Sequence, residues 1–143
     1  MNDGGLIGIF LQNLPVLVVV IPLLLAPILA IITAPRVAWA LSVAGIGSAF
    51  LAAMLLQSIT ESIGRVTYHL GNWEPPWGIE FVIDSVTSLT LVIMTGLAFL
   101  ATLYARASLL AEIKRTDSGK CYAAWLLASG GLFGLVATGD AFN

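Results

Sequence analysis

The chain has 143 residues, 59% of them hydrophobic and 10% charged, with a mean hydropathy of +0.99. Soluble domains carry about 25% charged residues, so this composition cannot clothe a water-facing surface and indicates an integral membrane protein. The formal net charge of −2, with no basic patch, excludes a nucleic-acid partner, and the single cysteine, Cys121, excludes an internal disulfide or an all-cysteine metal site.

The opening Met1-Asn2-Asp3-Gly4-Gly5 lacks a positive n-region, and the apolar run behind it is too long for a signal-peptide core. That run, residues 6–34, contains no charge and reads as a retained membrane helix. At about 1.5 Å per residue it can cross the ~30 Å hydrocarbon layer. Pro15, Pro22 and Pro27 predict a kinked helix with a slanted approach before Pro15. In a bundle, neighbouring groups can satisfy the carbonyls that the prolines release. Pro35-Arg36 marks a turn. The second run, 37–60, is rich in small residues around Gly45, which predicts a face for close helix packing.

The third run covers 79–106, with Glu80 and Asp84 in its first turns. Residues 108–115 read as a helical continuation beyond the membrane, with Glu112 and Arg115 on one exposed face. Thr116-Asp117-Ser118-Gly119 comes next as a turn signal. The fourth run is 121–139. Cys121 is a small residue at its start, and Gly130 and Gly134 give it a small-xxx-small packing face.

The expected fold is all-α and integral to the membrane. It has four transmembrane helices in a single domain, 1–143, and a short outer-side hairpin or loop between helices 2 and 3. Arg36, Arg106, Lys114, Arg115 and Lys120 fall in the first and third loops, against Arg65 alone on the other side. This bias places the loops near 36 and 106–120 in the cytoplasm. Both termini then lie on the outer side, the periplasm if the membrane is a bacterial inner membrane.

Residues 68–80 form a polar, aromatic and proline-rich island between apolar runs. Tyr68, Trp73 and Trp77 suit the membrane–water interface. Gly71-Asn72 has hairpin-turn character, and Pro75-Pro76 extends the backbone before it. His69, the sole histidine, is a poor metal ligand without companions; structural hydrogen bonding outweighs a proton relay for it. Asp84 divides between a helix N-terminal cap and an intramembrane functional carboxylate. Glu80 and Asp140 pose the same choice. With no nucleophile–base pair and no phosphate loop, no catalytic residue, metal site or intrinsic cofactor is assigned, and no enzymatic activity is expected. Lipid, quinone or pigment contacts stay open.

The island and the start of the third run contain Gly71, Trp73, Pro75-Pro76, Gly78-Ile79 and Asp84-Ser85 in order, and the chain ends Thr138-Gly139-Asp140-Ala141-Phe142-Asn143. These motifs resemble antiporter-like membrane subunits, the family of the D subunit of Mrp-type Na+/H+ antiporters and the proton-pumping subunits of complex I and membrane-bound hydrogenases. The resemblance covers the whole chain but only the first third or less of a family member. It implies an outer-side N-terminus and hairpin, and fold-supporting roles for Asp84 and Asp140. In the family a glutamate in the fifth helix and a lysine in the seventh build a proton half-channel. This sequence holds no position for either. The expected function is therefore a non-catalytic accessory subunit of a larger energy-converting membrane complex, respiratory or photosynthetic, with other integral membrane subunits and the lipid bilayer as partners. The alternative is the N-terminal fragment of a proton- or cation-translocating subunit.

Overall fold

The computed structural model describes residues 13–64, 66–69 and 80–138. Four long helices account for most of them. Helix α1 covers Leu14–Ile31, α2 Pro35–Ile63, α3 Ser85–Glu112 and α4 Ser118–Ala137. All four are long and apolar enough to cross a membrane.

Proline places the start of two helices. Pro15 and Pro35 stand in the first turns of α1 and α2, where a missing N–H breaks no intrahelical bond. Pro22 and Pro27 lie inside α1, which stays a single helix through both. At the other end of α2, Gly64 takes φ 89° and ψ −144° while its N–H still bonds Thr60 O. Only glycine adopts that backbone readily, and the helix ends there.

Helices α2 and α3 turn stripes of small, hydroxyl and apolar residues inward. On α2 it is Ala38, Ser42, Ile46, Ala49, Ala53, Leu56 and Thr60; on α3 it is Ser88, Leu91, Thr95, Ala98 and Thr102. The spacing of three and four residues is that of a helix–helix seam. Helix α1 packs most extensively on α4 and then on α2, α2 packs on α3, and α3 meets α4 more lightly. The outward faces are equally apolar. Leu24, Ile28, Leu51, Leu89, Leu97, Leu100 and Leu135 are all exposed.

Between α2 and α3, strands β1 (Val66–His69) and β2 (Glu80–Ile83) pair antiparallel. The register sets Val66 opposite Ile83, Tyr68 opposite Phe81 and His69 opposite Glu80. Thr138, just past α4, bridges Phe81. The hairpin is thus tied to the end of the last helix as well as to its own flanks. Residues 70–79, with Trp73 and Trp77, lie outside the described residues, as does Asp140.

Three local expectations are corrected. The third helix opens at Ser85 and not near Ile79, because Glu80–Ile83 pairs as strand β2, so Glu80 lies in a strand and not in the helix's first turns. Helix α3 stops at Glu112, and Arg115 opens a separate 3-10 turn, Arg115–Asp117. Glu112 and Arg115 therefore share no helical face. Helix α4 begins at Ser118, so Gly119 is helical rather than part of a turn.

Candidate functional site

Polar side chains gather at two levels of the bundle. At the hairpin end, Asp84 is the N-cap of α3, and its carboxylate accepts from Thr87 N at 2.7 Å. A carboxylate there satisfies an otherwise orphaned N–H and meets the positive end of the helix dipole. Asp84 is exposed at the helix mouth and not sealed inside the bundle.

One turn further in, Ser88 of α3 meets α2. Its Oγ lies 2.9 Å from Thr60 Oγ1 and donates to Gln57 Oε1 at 2.6 Å. Gln57 Nε2 in turn donates to Glu61 Oε1 at 2.6 Å. Thr60 and Ser88 are buried, whereas Glu61 is exposed. This short chain of hydrogen bonds runs from the bundle seam to the surface. No sequence motif marks it: Gln57 and Thr60 lie among Ser58, Glu61 and Ser62, and Ser88 among Ser85, Thr87 and Thr90, with no spacing that singles them out.

At the opposite end, Thr102 joins three helices. Trp39 Nε1 of α2 donates to Thr102 O at 3.1 Å, and Trp125 Nε1 of α4 donates to Thr102 Oγ1 at 2.9 Å. The Thr102 hydroxyl itself donates to Ala98 O at 2.7 Å. Thr102 is fully buried, so each partner replaces hydration that the site cannot offer.

Three buried hydroxyls share one pattern. Ser42, Thr95 and Thr102 each donate to the carbonyl four residues back, at 2.8, 2.6 and 2.7 Å. Such back-bonding lets a polar residue sit in a helix seam without a partner on the neighbouring helix. Among the described residues the buried polar side chains are Ser and Thr, with the phenol-bearing Tyr122 buried as well.

The glycines expected to serve packing are at helix contacts. A methyl group on Gly45 would lie 2.6 Å from Leu25 Cδ1 of α1. On Gly130 it would lie 2.9 Å from Leu23 Cγ, and on Gly134 3.3 Å from Val19 Cγ1. Gly47, in the small-residue stretch around Gly45, and Gly96, which no sequence pattern distinguishes, accept the rings of Phe99 and Phe50, and those rings stack with centroids 6.1 Å apart.

No group of three or more His, Cys, Asp or Glu able to hold a metal ion occurs among the described residues. The backbones of Tyr68, His69 and Glu80 are fixed by the hairpin register, which sets His69 against Glu80.

No protein-family model matches the chain. It is 35% identical to the N subunit of the NADH-quinone oxidoreductase of Desulforudis audaxviator, over 92% of its own length and 26% of that protein. It is 31% identical to the D subunit of a probable K(+)/H(+) antiporter of Rhizobium meliloti, over 94% of its length and 25% of that protein. The two relatives differ in named activity yet align with nearly all of this sequence. The chain is a homologue of antiporter-like membrane subunits over nearly its whole length. It spans about a quarter of the length of the curated relatives it matches. With four helices able to span and such relatives, this antiporter-like chain is an integral membrane protein. Both relatives are, by name, one subunit of a larger assembly.

Proposed function

We propose that this antiporter-like chain is a non-catalytic packing subunit of a multi-subunit, energy-converting membrane complex. The observation that carries the proposal is the character of its buried polar groups: Ser and Thr hydroxyls, mostly turned back onto their own helix carbonyls. Hydroxyls held this way are satisfied within their own helix and carry no charge; a proton path across a membrane is instead marked by buried Asp, Glu, Lys, Arg or His side chains. The apolar outer faces, among them exposed Leu97, Leu100 and Leu132, offer surface to neighbouring helices or lipid.

Arg36, Arg106, Lys114, Arg115 and Lys120 stand at the end of the bundle opposite the hairpin. The bias supports a cytoplasmic position for that end and an outer, periplasmic position for the hairpin in a bacterial inner membrane.

A second reading rests on length. Since the relatives are about four times as long, the chain is also read as the N-terminal segment of a proton- or cation-translocating subunit. The proposal is tested by reconstituting the chain in sealed vesicles that hold a pH-sensitive dye. No Na+-, K+- or protonophore-independent H+ flux above empty vesicles is expected. Flux that rises with the amount of this chain would contradict it.

A further inference from the structure

A cavity of about 380 Å3 opens at the cationic end of the bundle, lined by Ala34, Pro35, Arg36, Arg106 and Arg115. Its three arginines come from three elements: the first turn of α2, the last part of α3 and the 3-10 turn before α4. None of them forms an ion pair among the described residues; the ion pair found there joins Lys120 to Asp117. Three guanidinium groups around one cavity repel each other unless an anion lies between them.

Arg106 is held in place. Its guanidinium carbon lies 4.7 Å from the centroid of the Trp39 ring, and that ring is anchored through Nε1 to Thr102 O. Arg106 also lines a second hollow, of about 470 Å3, with Trp39, Leu103, Tyr104 and Ala107. Leu103 and Tyr104 are exposed on the outer side of α3. A cationic cavity and an apolar groove therefore share one arginine, and the groove runs along a membrane-facing helix.

We propose that this pair of hollows binds one anionic phospholipid. The phosphate sits among Arg36, Arg106 and Arg115, and an acyl chain lies along Trp39, Leu103 and Tyr104. Guanidinium groups meet phosphate oxygens with two parallel N–H donors. Basic pockets between membrane helices on a cationic face suit lipid head groups. A free phosphate satisfies the cavity but leaves the groove unused, and a zwitterionic lipid fills the groove but brings its own cation to the arginines. The proposal does not depend on whether the chain packs or translocates.

The test follows thermal unfolding of the chain in neutral detergent during titration with phosphatidylglycerol, phosphatidylcholine or glycerol phosphate. Phosphatidylglycerol is expected to raise the midpoint, with the other two giving little shift. Arg36→Gln with Arg115→Gln should weaken phosphatidylglycerol binding about 30-fold, from two lost cation contacts. Lys114→Gln with Lys120→Gln removes the same charge at the same end, outside the cavity, and should leave binding nearly unchanged. Equal shifts with glycerol phosphate would replace the lipid by a free anion and overturn the proposal. Equal shifts with phosphatidylcholine, or equal losses in the lysine pair, would overturn it too. If the arginine pair does not fold, native mass spectrometry of the unaltered chain decides: retained phosphatidylglycerol without retained phosphatidylcholine is expected, and equal retention of the two sinks it.

Discussion

Gly119, in the first turn of α4, lies directly against the carbonyl oxygens of Ile32 and Leu29 at the end of α1. No side chain fits between them, since a Cβ at Gly119 would overlap the Ile32 oxygen. The close approach is part of the most extensive helix contact in the bundle, α1 on α4.

Gly119→Ala should therefore force those helix ends apart. Overpacking costs about 1–3 kcal/mol when side chains can shift. Here the obstacle is backbone, so the upper part of that range is expected. Gly131→Ala is the control, because a methyl group there meets nothing within 4 Å; replacing a helical glycine by alanine should leave stability unchanged or raise it by up to about 1 kcal/mol. Unfolding in a denaturing-detergent titration reads both.

Phe50 and Phe99 stack across the α2–α3 seam at 6.1 Å, with planes 11° apart, each beside a glycine of the other helix. In lipid the hydrophobic effect between helices is weak, so such contacts must act through packing. A double-mutant cycle with Phe50→Leu and Phe99→Leu should return a coupling of about 0.5–1.5 kcal/mol. A coupling near zero would mean the rings are merely neighbours.

Thr102→Val keeps the shape of the side chain but leaves Trp125 Nε1 without its acceptor. An orphaned donor of this kind costs about 1–3 kcal/mol. Thr102→Ser retains the hydroxyl and should cost clearly less. Stability and indole fluorescence would report the loss together, because Trp125 changes its surroundings only in the valine variant.

Topology offers a separate check. In a Cys121→Ser background, single cysteines at Glu61 and Lys114, both exposed in the structure, should react with a membrane-impermeant thiol reagent from opposite sides. Position 61 should label in intact cells, and position 114 only after the membrane is opened. Labelling of both from outside would contradict the proposed orientation.

Much of this architecture was legible in the sequence, because lipid as solvent demands long uncharged runs. The four helices, the hairpin and the glycine faces at 45, 130 and 134 follow from that demand and from residue size. What escaped depends on tertiary contact. Gly119 reads as a turn residue beside Ser118 and Asp117, yet the α1 carbonyls give it a different purpose. Gln57, Thr60 and Ser88 carry no motif, and only the seam between α2 and α3 brings them together. Arg36, Arg106 and Arg115 counted as scattered topogenic charges until the fold placed all three around one cavity.

The claim that the chain packs within a larger complex is tested most directly by its isolation from native membrane in mild detergent, with identification of every co-purifying polypeptide. Other integral membrane subunits should accompany it at fixed stoichiometry: antiporter, quinone-oxidoreductase or photosynthetic subunits would each name the host. Recovery of the chain as a stable particle by itself, with no companion under the mildest conditions, would contradict it.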